Sequence, residues 1–123
     1  MTRAFEELFT VSDAFRAIPM FGRTDAGILF DAAAAHGIAT GELARFRGVY
    51  LAHLATEIGK PGPRKGTMPG VRPLLDSLTN RSDVYLALLT GNYEDAARVK
   101  SGHAGVLRIQ ASFTRTYLMA WRQ

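Results

Sequence analysis

The 123-residue chain is 47% hydrophobic and 21% charged, a balance that suits one ordinary soluble domain able to bury a real core. No run approaches the ~18 apolar residues of a membrane span, and the opening MTRAFEELF leads into a mixed helix and not a signal-peptide core, so the cytoplasm is the expected compartment. The net charge of +4 comes from arginines scattered along the chain, with Lys60, Arg64 and Lys65 as the one local cluster, so no nucleic-acid partner is expected; zero cysteines exclude disulfides, thiolate zinc sites and a Cys nucleophile.

Phe5, Leu8 and Phe9 fall at i, i+3 and i+4 and predict a short helix over residues 3–10. Ser12 or Asp13 can cap a further turn, which Pro19 stops. Thr24 as N-cap, with Asp25 in the first turn, starts a helix that carries Ile28, Leu29, Ala32 and Ala33 and ends at His36 and Gly37. Thr40 then caps the longest amphipathic helix, whose apolar face is Leu43, Phe46, Tyr50, Leu54 and Ile58 and whose end is Gly59. Residues 1–59 show no strand pattern and are expected as a small helical bundle. The Pro/Gly-rich KPGPRKG that follows is linker chemistry, and 60–67 is taken as the boundary between two halves.

Past Pro69, the residues Val71, Leu74, Leu75 and Leu78 share one helical stripe that ends near Asn80. The run VYLALL at 84–89 is rich in strand formers and bounded by turn residues, which predicts a strand buried on both faces. A helix follows at once, with Asn92 as N-cap and Glu94 and Asp95 in its first turn. A strand that turns into a helix through Thr90, Gly91 and Asn92 offers a hydroxyl and free backbone N–H groups to an anion; the same residues can also serve only to cap the helix. VLRI at 106–109 reads as a second parallel strand, and the fold class expected is α/β. Phe113, Tyr117, Leu118 and Trp121 favour a terminal helix.

MPGV at 68–71, LLDSL at 74–78, LLTGN at 88–92 and ARVK at 97–100 together resemble the core of a haloacid-dehalogenase-like (HAD-like) hydrolase of the phosphoglycolate-phosphatase type. GRTD at 22–25 is similar to a cap segment of the same enzymes, so the resemblance covers most of residues 3–105. It implies a helical cap at 1–59, a linker at 60–67 and a partial Rossmann-like core over 68–123 whose tail diverges from about 106. It also implies hydrolysis of a small phosphorylated metabolite through an aspartyl-phosphate with Mg²⁺. On that resemblance Thr90 binds the phosphoryl group, Gly91 and Asn92 supply backbone donors, Lys100 neutralises charge and Arg23 reads the non-transferred end of the substrate.

Two of these residues keep a second reading. Arg23 can be a solvated loop charge, and Lys100, about 12 Å along its helix, can simply face the helix dipole. The DxDGT-type segment that carries the family's nucleophilic Asp is absent from this sequence, as is the acidic strand end that holds magnesium. The chain is therefore expected to be truncated at both ends relative to the family and inactive alone, with a non-catalytic fragment that binds a phosphorylated ligand or a protein as the alternative. Unpaired sheet edges would favour oligomers.

Overall fold

The computed structural model describes residues 1–62 and 67–103. Among them the regular elements are α1 (Thr2–Phe9), α2 (Asp25–Ala35), a 3₁₀ helix (Thr40–Arg45), α3 (Phe46–Ile58), α4 (Val71–Thr79) and α5 (Glu94–His103). The linker residues 63–66 and everything from 104 onwards, including the expected strand at 106–109 and the expected terminal helix, lie outside the described residues.

The first three helices follow from their sequence signals. α1 buries Ala4 and Phe5, and its chain reverses at Thr10, which adopts a left-handed φ of 56° and returns its N–H to the Glu6 carbonyl at 2.8 Å. α2 is capped by the Thr24 hydroxyl, which accepts from the Gly27 N–H at 3.1 Å. Its end is a Schellman motif: Gly37 takes φ 68°, its N–H reaches Ala34 and the Ile38 N–H reaches Ala33. The predicted Thr40 cap does not form. Residues 40–45 tighten into a 3₁₀ turn instead, and the Glu42 carboxylate accepts from the Ala39 backbone N–H at 3.2 Å.

α3 is the spine of the packing, with α1, the 3₁₀ helix and α5 all resting on it. Phe5 and Phe46 are fully buried and meet at 6.2 Å between ring centroids. Phe15 packs edge-on to Phe5 at 5.3 Å, and Tyr50 stacks on Phe46 at 6.1 Å and leads on to Tyr93 at 6.2 Å. Small residues let the neighbours close in: Ala32 and Ala33 on α2 and Ala96 and Ala97 on α5 are all buried, and Ala96 belongs to the same core cluster as Phe5.

The α/β expectation, with its partial Rossmann-like core, is overturned. The described residues are helical and contain neither a strand nor a sheet. Residues 84–89 form no ladder hydrogen bond among the described residues, and Tyr85 and Leu89 are 73% and 86% exposed where a two-face-buried strand would hide them. The reason is physical: VYLALL has the composition of a strand, but a strand exists only when its backbone N–H and C=O groups find a neighbour, and composition supplies no neighbour. α4 is similar in kind. Its stripe is amphipathic as expected, yet none of its residues is buried.

Among the described residues, the turn before α5 crosses the backbone at 23–24 at close range. Gly91 lies against 23–24 so tightly that a Cβ built on it would sit 2.5 Å from the Arg23 carbonyl oxygen and 3.1 Å from the Thr24 Cα. Gly91→Ala is therefore expected to force the two backbones apart, cost about 1–3 kcal/mol of stability and lower the thermal midpoint by several degrees. Thermal denaturation followed by circular dichroism checks this; an unchanged midpoint contradicts the close approach.

Candidate functional site

The residues that precede and enter α5 meet the start of α2 at a clasp built on Asp25. The Asp25 N–H donates to the Gly91 carbonyl at 2.7 Å, and the Asp25 carboxylate accepts from the Tyr93 N–H at 3.0 Å. Asp25 is only 9% exposed, so both bonds are made away from bulk water. Its carboxylate thus stands at the N-terminal ends of two helices, α2 and α5, where free N–H groups and the helix dipoles favour negative charge. α5 begins at Glu94, one position later than an Asn92 cap implies, and the Tyr93 N–H just before it is accepted by Asp25, 68 positions away in sequence.

Around the clasp lie the sequence-predicted site residues. Thr90 Oγ1 accepts from the Asn92 backbone N–H at 3.2 Å and from Asn92 Nδ2 at 2.5 Å. The Asn92 side-chain oxygen in turn accepts from Lys100 Nζ. Lys100 therefore leans back along α5 toward its start, as the tilt of helical side chains allows, and spans the eight positions to Asn92. Thr90, Asn92, Lys100 and Gly91 are brought together, and the Arg23 backbone touches Gly91.

The Arg23 guanidinium does not join this group by any hydrogen bond among the described residues. It pairs with Asp31, two turns along α2. The hydrogen bond holds the Asp31 carboxyl below its ordinary range and raises the Arg23 guanidinium further. His36 is likewise occupied: its Nε2 lies 3.3 Å from the Ala14 carbonyl and its ring packs against Phe5, which places it in the architecture of the helix end.

The wall behind the clasp is aromatic and cationic. Tyr50 is buried beside Asp25, and its phenol is pushed up to about 12, first by burial and then by the charges of Asp25 and Tyr93. Tyr93 is raised by the same burial and by Asp25, with Arg47 acting in the opposite sense. Arg47 lies 5.7 Å from the centre of the Tyr93 ring and donates to Asp95 at 2.6 Å, binding α3 to the first turn of α5.

Asp25, Tyr50 and Tyr93 are neighbours of the candidate site that the sequence did not reveal as such. Asp25 follows a Thr N-cap and Tyr50 sits on an apolar stripe, so each had a sufficient local explanation. A buried carboxylate shared between distant segments leaves no local signature. The magnesium implied by the resemblance finds no donor set here: no group of three His, Asp or Glu side chains converges among the described residues. No helix among the described residues is long and apolar enough to cross a membrane.

Because the folded Tyr50 phenol is raised above its ordinary value of 10.0, its contribution to stability is complete below pH 10 and is lost as pH climbs through about 12. Tyr50→Phe is expected to flatten the alkaline unfolding limb in that window and to remove a late-titrating phenolate from the ultraviolet titration. A variant with the same alkaline limb as the parent contradicts the buried placement of this ring. Comparison with protein-family models, curated proteins and solved structures finds no match to this chain.

Proposed function

We propose that this chain carries the phosphoryl-holding part of a HAD-like phosphatase site and, by itself in the cytoplasm, binds a small phosphorylated metabolite without hydrolysing it. The single observation that carries this reading is the convergence of Thr90, Asn92 and Lys100 beside the entry to α5. A hydroxyl and an ammonium group in one place form an arrangement suited to a phosphoryl oxyanion. The resemblance in LLTGN and ARVK names the same residues, although the sheet it implies is absent among the described residues.

In this reading Thr90 donates to a phosphoryl oxygen and Lys100 balances the negative charge nearby. Gly91, without a side chain, keeps the turn close to Arg23. Arg23 is held by Asp31 through one guanidinium nitrogen, and its remaining N–H donors suit a substrate carboxylate or distal phosphate. Turnover needs a covalent nucleophile, and the sequence contains no DxDGT-type segment to supply it. Magnesium chemistry belongs to the resembling family and enters no step here. A protein-binding role is the second reading, favoured by the exposed Met68, Leu74, Tyr85 and Leu89.

Calorimetric titration with inorganic phosphate and with phosphoglycolate, alongside a phosphate-release assay, separates these possibilities. Binding that Thr90→Val weakens about 10- to 100-fold, with no phosphate release above background, is the expected result. Absence of binding to either ligand refutes the phosphoryl site and leaves the protein-binding reading. Release of phosphate by the purified chain refutes the claim that it lacks a nucleophile.

A further inference from the structure

The hydrogen bonds among Thr90, Asn92 and Lys100 have a direction, and Lys100 sets it. An ammonium nitrogen has donors and no acceptor, so the Asn92 atom facing Lys100 is the amide oxygen. That choice fixes the rest of the amide. The Asn92 Nδ2 then faces Thr90 Oγ1, 2.5 Å away, and donates to it. The Asn92 backbone N–H donates to the same oxygen at 3.2 Å. A hydroxyl oxygen has two lone pairs, and both are now taken. Among the described residues no acceptor takes the Thr90 proton.

We infer that Asn92 is a positioning residue that, backed by Lys100, holds the Thr90 hydroxyl as an obligatory donor and so makes this turn selective for acceptor atoms. The inference rests on the phosphoryl-binding reading and deepens it by naming the ligand class: phosphoryl and carboxylate oxygens are accepted, whereas an ammonium or amide N–H offered to Thr90 meets an oxygen with no lone pair left. It also changes the part played by Lys100. The lysine acts on Thr90 through Asn92, whatever charge it also presents to the ligand. A hydroxyl oriented before the ligand arrives has no reorientation left to make when it binds.

A double-mutant cycle with inorganic phosphate as the probe tests this. Thr90→Val and Asn92→Ala are each expected to weaken binding, Thr90→Val by about 10- to 100-fold. The double variant is expected to bind within about twofold of Thr90→Val alone, since Asn92 acts only through the hydroxyl already removed. Losses that multiply, or an Asn92→Ala variant with parental affinity, overturn the inference. A second readout needs no ligand: in the unsubstituted chain the Asn92 side-chain amide protons should exchange slowly with water, and Thr90→Val should release them. If Asn92→Ala does not fold, this amide readout on Thr90→Val decides alone.

The two readings fail in different ways. An unsubstituted chain that binds no phosphate overturns the binding site, and the selectivity with it. Phosphate binding accompanied by an unprotected Asn92 amide overturns the positioning role while the binding site stands.

Discussion

A carboxylate buried at the start of one helix and bonded to the start of another is a demanding arrangement, and in this chain the placement of the candidate site depends on it. Asp25 holds the Gly91 carbonyl with its N–H and the Tyr93 N–H with its carboxylate, so the turn that carries Thr90 and Asn92 is pinned to the head of α2 at two points. Leaving a buried N–H without its acceptor costs about 1–3 kcal/mol. The contact also has a steric condition, since the Arg23 carbonyl occupies the place that a side chain on residue 91 would take. Glycine is the residue that lets the two backbones approach, and aspartate is the residue that rewards the approach.

The aromatic column stiffens this clasp from behind. Phe5 and Phe46 anchor α1 to α3, Tyr50 stacks on Phe46, and Tyr93 follows at the entry to α5. Burial of rings supplies the bulk of the packing, while Arg47 bridges Tyr93 and Asp95 at the surface. The path from core to site is therefore short: a helix packed by aromatics carries Tyr50 to Tyr93, Tyr93 is tied to Asp25, and one residue earlier Asn92 holds Thr90. Lys100, two turns along α5, closes the group from the helix side.

Helical periodicity made α1, α2 and α3 legible, because Phe5, Ile28, Leu29, Phe46 and Tyr50 recur at spacings that only a helix brings to one face. The Thr24 cap and the Gly37 ending were legible for a related reason: both are local hydrogen-bond devices complete within a few residues. VYLALL was misleading because strand pairing is non-local, and nothing in six apolar residues states whether a partner lies alongside. The same limit hid Asp25. Its local role in α2 was correct, and its second role as acceptor for Tyr93 depends on a fold-level meeting of residues 68 positions apart. Thr90 and Asn92 were named from the turn they form and Lys100 from the resemblance, but the direction of their hydrogen bonds needed the side chains in place.

Amide hydrogen exchange at Tyr93, compared between the parent chain and Asp25→Ala, tests the clasp most directly. The Tyr93 amide is expected to be protected in the parent and to exchange about ten- to a hundredfold faster in the variant, while amides within α1 and α3 change far less. A Tyr93 amide that exchanges at the solvent-limited rate in the parent, or at the same rate in both proteins, would contradict the role assigned to Asp25.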